Sequence, residues 1–278
     1  MNIGSTSINI LRDGTFLLDG GSVFGNVPKT EWELQVKPDR RNRVRLGLNC
    51  VLITTPEKNI LVDTGAGSKR TAELKEQYGF NGNKLMRSLR TLGLTARDID
   101  IVVLTQLHST HSGGCTKLDR TGDAVPAFPK ASYVIQQEAW EGANSHNERF
   151  QGAYYEDDYL PLADRELISF IDGEEEIMPG VTVKVFDGPA RGHQVVLIER
   201  GSERIAFAGD LIPTSYHLHP SWISASDEFP NETLVQKREL IELAMEGGWL
   251  IIFGHGNECK SGYVRDRNGK PQFVPIEV

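Results

Sequence analysis

The apolar run Ile101-Val-Val-Leu104 opens directly onto Thr-Gln-Leu-His-Ser-Thr-His-Ser-Gly-Gly at residues 105–114. A short unbroken apolar run bounded by polar residues reads as a buried strand. It delivers His108 and His111 into a turn closed by Gly113 and Gly114. Histidines just past a buried strand end serve as metal ligands or acid–base groups. An isolated H-x-x-H is more often two ordinary turn histidines, so the rest of the chain must decide between the readings.

The first part of the chain reads as β-structure. Residues 7–11 alternate, Asp13-Gly14 predicts a hairpin turn, and residues 15–19 return. Residues 31–45 are charged and irregular, a surface excursion, and residues 48–54 and 59–63 form a second hairpin. Asp63-Thr-Gly-Ala-Gly67 follows an apolar strand as a structural turn, with Asp63 placed to accept hydrogen bonds from turn amides. Helical spacing over residues 69–92 (Leu74, Tyr78, Leu85, Leu89, Leu92) ends at Gly93, and Thr95-Ala-Arg-Asp98 caps a short turn into the central strand.

Strand and helix signals continue at residues 131–135 and 137–143, and an aromatic, acidic stretch at 148–162 suits a helical insertion or lid. Past residue 165 the strand pattern returns at 167–171, 181–185, 194–198 and 204–210, followed by a helix at 232–246. The last buried strand, Trp249-Leu-Ile-Ile-Phe-Gly-His255, again ends on a histidine. The order is that of an α/β chain in which ligands sit beyond strand ends, here near residues 104, 210 and 255.

The bounds agree. With 278 residues the chain can bury a substantial core, and we read 1–278 as one domain with β-rich halves of about 1–165 and 166–278. A net charge of −8 argues against a nucleic-acid groove. No run approaches the roughly 18 apolar residues of a membrane span. Three scattered cysteines and no signal-peptide pattern point to a reducing cytoplasm.

Taken together, the motifs Ile60-Leu-Val-Asp-Thr-Gly65, Leu104 to Gly114, Gly192-His-Gln194, Ala208-Gly-Asp210 and Phe253-Gly-His255 resemble, in their order, the metallo-β-lactamase-fold hydrolases. Asp19-Gly-Gly-Ser22, Leu48-Asn-Cys50 and Phe229-Pro-Asn-Glu-Thr233 resemble the branch containing the N-acyl-homoserine lactonases. The resemblance spans nearly the whole chain. It implies a four-layer αββα sandwich and hydrolysis of a small ester, lactone or amide.

The resemblance also exposes departures. The family's central H-x-H-x-D-H falls on Gln106, His108, Thr110 and His111, so its first histidine is a glutamine and its aspartate a threonine. Anchored on Gly192-His193-Gln194, a further metal-binding histidine falls on Pro189, and His193 becomes a neighbour of the site. A shifted register would make His193 the ligand. Asp210 matches the bridging aspartate and His255 the final histidine.

One of the family's two ion positions then keeps only His108 and Asp210, because Gln106 offers a neutral amide and Pro189 no side-chain ligand. The other keeps His111, His255 and Asp210. The resemblance therefore implies at most one divalent ion, zinc, manganese or iron, or none, with His108 a further metal candidate. An ion there would polarise a carbonyl and acidify a water. Asp210, His111, Thr110 and His108 are the catalytic candidates, although Thr110 cannot act as the missing carboxylate base. Tyr216 and His193 are candidates for contacting substrate, and His217 and His219 lie in the same loop.

Other chemistries fit the residues less well. Hydroxyls of Ser109, Thr110 and Ser112 beside His108 and His111 could pair as nucleophile and base, but hydroxyls in such turns usually cap backbone groups. Cys115 and Cys259 lie close to site histidines in sequence and read as buried, inert thiols. A small-molecule hydrolase is the leading expectation. The alternatives are a non-catalytic binder of a small molecule and a metal-free enzyme with repurposed chemistry.

Overall fold

In the computed structural model, which describes residues 1–145, 147–150, 152–267 and 270–277, two seven-stranded sheets carry the chain. The first sheet runs Asn2–Ile3, Thr6–Asp19, Arg43–Thr54, Asn59–Val62, Ile101–Val103, Ser132–Gln136 and Ile168–Ile171 from edge to edge. Its early strands pair antiparallel, and those from Asn59–Val62 onward pair parallel. The second runs Glu175–Met178, Val181–Val185, Gln194–Arg200, Glu203–Phe207, Leu250–Ile252, Ser261–Arg267 and Lys270–Pro275, with Glu203–Phe207 parallel to Leu250–Ile252.

Alternation along the strands builds the layers, since successive side chains face opposite ways. Ile60, Val62 and Val103 point between the sheets and meet Val181, Val183, Val196, Ile205 and Ile252. Their neighbours Leu61, Val102 and Leu104 face outward, under the helices Leu85–Thr91, Gln137–Ala143 and Glu156–Ala163. On the far side the helix Pro230–Gly247 lays Leu240, Ile241 and Ala244 over Val195, Ala206 and Ile251. Helix, sheet, sheet, helix is the expected four-layer arrangement. Each fully buried aliphatic side chain contributes roughly 1.5–3 kcal/mol. A carboxylate at Val103 would meet both sheets and find no partner, which breaks the layer.

Several local expectations give way to long-range contacts. Asp13-Gly14 does not turn the chain: Thr6–Asp19 is one continuous strand with an irregularity between Arg12 and Gly14. Asp13 is buried there and accepts from the amides of Gly67, Lys84 and Leu85. The predicted helix over 69–92 is two helices, Thr71–Tyr78 and Leu85–Thr91, parted where Gly79 adopts a left-handed φ of 57° and Asn81 bridges to Thr15. Residues 43–45 of the supposed excursion belong to the strand Arg43–Thr54. The C-terminal pair Ser261–Arg267 and Lys270–Pro275, absent from the expected elements, widens the second sheet.

Candidate functional site

Past the end of Ile101–Val103, residues 109–112 form one helical turn rather than an open loop, and His108 caps it. The Thr110 amide can only donate, so His108 Nδ1 accepts from it at 3.3 Å and also takes the Thr110 hydroxyl at 2.8 Å. A neutral ring that accepts at Nδ1 carries its proton on Nε2. Burial, reinforced by the neighbouring His111, pushes the His108 imidazole down to about 4, so it is neutral at neutral pH.

His111 is held differently. Its Nδ1 lies 2.7 Å from Asp63 Oδ2, and the carboxylate can only accept, so Nδ1 carries the proton. Asp63 sits at a left-handed φ of 57° directly after its strand and is 1 % exposed. It also accepts from the Thr105 amide at 2.8 Å and the Thr105 hydroxyl at 2.8 Å. The sequence marks Asp63 as a turn residue, and here that turn orients an imidazole. Nε2 of His111 then faces Asp210 Oδ2 at 3.2 Å.

His255 is strapped to the other half of the site. Its Nδ1 donates to Gly47 O at 2.8 Å, leaving Nε2 3.1 Å from Asp210 Oδ1. Asn49 donates from Nδ2 to Phe253 O at 2.9 Å and Gly256 O at 2.8 Å, and Arg12 donates to the carbonyls of Gly256 and Asn257 at 2.8 Å each. These contacts fix the loop that presents the ring. No sequence pattern advertises Arg12 for this duty.

The rings of His111 and His255 stand 5.1 Å apart between centroids. One ligand atom from each of His111, Asp210 and His255 lies within 4.8 Å of the others, and no other such group occurs among the described residues. Asp210 Oδ1 is buried without a hydrogen-bond partner. Two inward-facing imidazole nitrogens and an orphaned carboxylate oxygen are donors that a divalent ion takes, so the residues fit an ion. Burial acts against charge on His111, yet Asp210 and Asp63 on its two sides prevail and hold it up at about 10. Burial likewise works to raise Asp210, and His111 and His255 overcome it, holding the carboxyl well below the usual range. The same arrangement favours a cation at Nε2, proton or metal.

The remaining candidates fall into place around this group. His108 stays outside it, with its ring centroid 6.5 Å from that of His111. Gln106 turns its amide nitrogen onto Asp210 Oδ2. Pro189 lines the adjoining cavity and supplies no side-chain donor. His193 is not a substrate contact, a correction to the sequence reading. It is fully buried, Nε2 accepts from the Asp210 amide at 3.0 Å, and Nδ1 donates to Phe186 O at 3.2 Å. It shapes the backbone under Asp210, consistent with the register anchored on residues 192–194. Tyr216 is absent from the cavity lining and packs edge-on against Phe24, 6.2 Å between centroids, so the expected substrate contact is corrected there too. His217, by contrast, is among the lining residues, buried with Nε2 donating to Val23 O at 2.9 Å.

The Thr110 hydroxyl, 2.8 Å from His108 Nδ1, matches one expected histidine–hydroxyl pairing, whereas Ser112 and the thiols do not support such chemistry. Ser112 donates its hydroxyl to Leu107 O at 2.8 Å, as a capping group does. Burial pushes the Cys115 thiol up to about 12, which leaves it protonated.

A cavity of about 470 Å³ opens over the group. Gln106, His108, Thr110, Asp210 and His255 line its polar side, and Phe16, Leu18, Val23, Leu46, Leu48 and Phe80 its apolar wall. The segment expected as a lid supplies Phe150, Ala153, Tyr154 and Tyr155. It is tied down by Ser109 N to Ala153 O at 2.8 Å and by a buried ion cluster in which Lys69 lies 2.8 Å and Arg70 3.0 Å from Asp158. Asp227 also lines the cavity, with its carboxylate accepting from the Thr233 hydroxyl at 2.7 Å. Burial pushes this carboxyl up to about 7. Sequence reading missed Asp227, and a lone acid in a loop carries no pattern that could reveal it.

Comparison with known proteins follows the same lines. An N-acyl homoserine lactonase of Bacillus cereus is 26% identical over 238 residues, covering 80% of this chain and 86% of that protein. A probable metal-dependent hydrolase from Staphylococcus aureus superposes with a TM-score of 0.91 at 28% identity, covering 100% of this chain and 99% of the other. AidC, a dizinc quorum-quenching lactonase in complex with a product, N-hexnoyl-L-homoserine, has a TM-score of 0.83 at 21% identity over 100% and 97% of the two chains, a likeness of fold. The profile of the Metallo-beta-lactamase superfamily matches residues 43–255, which span every strand-end residue of the site, and the chain belongs to that family.

Proposed function

We propose that this chain hydrolyses a small ester, lactone or amide bearing an apolar arm, with one divalent ion held by His111, His255 and Asp210. The observation that carries the reading is the convergence of two inward Nε2 atoms and the orphaned Asp210 Oδ1 on the floor of a largely apolar cavity. Such an ion, when bound, supplies Lewis acidity toward a carbonyl and acidifies a water. The chain's own residues do the rest. Asp63 and Gly47 O hold Nδ1–H of His111 and His255 and so turn Nε2 of each ring inward. The apolar wall binds the arm and excludes water.

Proton handling differs from that of a site with a carboxylate at position 110. The Thr110 hydroxyl is committed to His108. His108, neutral and protonated at Nε2, is a hydrogen-bond donor at the cavity wall, suited to orienting a substrate oxygen rather than to accepting a proton. Two further acids line the cavity: Asp227, pushed up by burial to about 7, and Glu228, also raised by burial.

The packed interface between the two sheets supports residues 1–278 acting as one domain. Among the described residues no helix is long and apolar enough to cross a membrane.

The test is elemental analysis of chain purified without chelator, together with hydrolysis of a panel of lactones and esters before and after chelation. One equivalent of metal and chelator-sensitive turnover are expected. Two equivalents per chain would refute the ligand assignment. Turnover indifferent to chelator would mean metal-free chemistry, and one equivalent with no turnover would favour a binding protein.

A further inference from the structure

We infer that Gln106 is a positioning residue: its side-chain amide clamps Asp210 through Oδ2 and leaves Oδ1 as the lone pair offered to a single cation. The inference rests on the one-ion reading above and assigns a duty to a residue outside the ligand set.

The two oxygens of Asp210 have different surroundings. Oδ2 receives the Gln106 amide and lies 3.2 Å from His111 Nε2. Oδ1 stands 3.1 Å from His255 Nε2, is buried, and has no hydrogen-bond partner. A carboxylate on a rotatable bond would exchange these roles unless one oxygen were tied. Gln106 ties it from a buried position, 5 % exposed, two residues before His108 on the same strand exit. An amide nitrogen donates and carries no charge, so it can hold an anionic oxygen without competing for the metal. It shares Oδ2 with His111 Nε2, and so leaves Oδ1 beside His255 as the oxygen without a donor. Pro189 and Ala190 line the cavity alongside it, and no further metal-holding group is found among the described residues. Oδ2 is therefore held by a neutral donor at the position where the resemblance places a histidine ligand.

The clamp separates from space-filling by choice of variant. Gln106→Met keeps the length and loses the donor, whereas Gln106→Asn keeps the amide and falls one methylene short of Asp210. Calorimetric titration of the metal-free chain with cobalt(II), with the visible cobalt bands recorded alongside, gives affinity and ligand geometry together. We expect one equivalent in the parent. Both variants should bind about 10- to 100-fold more weakly, the usual effect of removing a group that orients a ligand, with altered cobalt bands. A Met variant with the parent's affinity and spectrum would overturn the inference.

If the parent takes up no cobalt, the one-ion reading fails, and the clamp is then decided separately. In the ¹⁵N-labelled metal-free chain, the Gln106 side-chain amide, identified by its disappearance in either variant, should exchange slowly with solvent. Rapid exchange in the parent would overturn the clamp itself.

Discussion

Replacing Asp63 by Asn alters one side-chain atom and leaves the backbone a residue that tolerates its φ of 57°. The carboxylate now serves three donors: the Thr105 amide, the Thr105 hydroxyl and His111 Nδ1. Asn has one acceptor oxygen. If that oxygen keeps the Thr105 amide, its NH₂ faces His111 Nδ1 and forces the ring proton onto Nε2, the atom that must bind the ion. If it turns to His111 instead, the buried Thr105 amide is left facing a donor. Either way a charge-assisted hydrogen bond is lost, at a cost of about 1.5–3 kcal/mol. Metal affinity should fall about 10- to 100-fold, or roughly 1.4–2.8 kcal/mol. Calorimetric titration with zinc measures the affinity, and thermal melts with and without zinc divide the loss between ion and fold. Thr105→Val, which spares the contact between Asp63 and His111, should lose much less. An Asp63→Asn variant that binds zinc as tightly as the parent would refute the assignment of the His111 tautomer to Asp63.

Three further outcomes are expected. Gln106→His, Thr110→Asp and Pro189→His together should raise the metal content toward two equivalents and increase lactone hydrolysis, while each alone does little; elemental analysis of the triple variant checks this. Asp227→Asn should flatten the pH dependence of stability. A carboxyl near 7 in the folded chain and near 3.8 unfolded loses up to about 4 kcal/mol of folding free energy as pH rises from about 4 to 7, so denaturant melts across that range should show the parent weakening and the variant not. Val23→Trp, filling the apolar wall, should raise KM for substrates with long apolar arms more than for short ones, as steady-state kinetics on a homologous series will show.

What could be read from the sequence is what local periodicity encodes. The strands that end near residues 104, 210 and 255 are short apolar runs, and the polar residue that closes each run lies at or near the site. Their convergence needed the family order as well, since His111 and His255 are 144 positions apart yet 5.1 Å between ring centroids. Gln106 was legible as a missing histidine and illegible as a clamp. Its partner is 104 residues away, and a neutral amide has no spacing signature.

Asp13 carries the same lesson at the level of the fold. Asp-Gly between two alternating runs is a strong local turn signal. Three amides, those of Gly67, Lys84 and Leu85, offer this carboxylate more than a turn would. Burial raises its pKa while those amides lower it, so the hydrogen bonds offset part of the cost of burying the acid. Through Gly67 the same carboxylate braces the loop that begins at Asp63, and Asp63 in turn fixes His111. A residue that misleads secondary-structure reasoning thus lies two contacts from the candidate metal site. Where local propensity fails here, at Asp13 and at Gln106, a buried polar side chain has been recruited by partners distant in sequence, and both recruitments serve the geometry around His111 and Asp210.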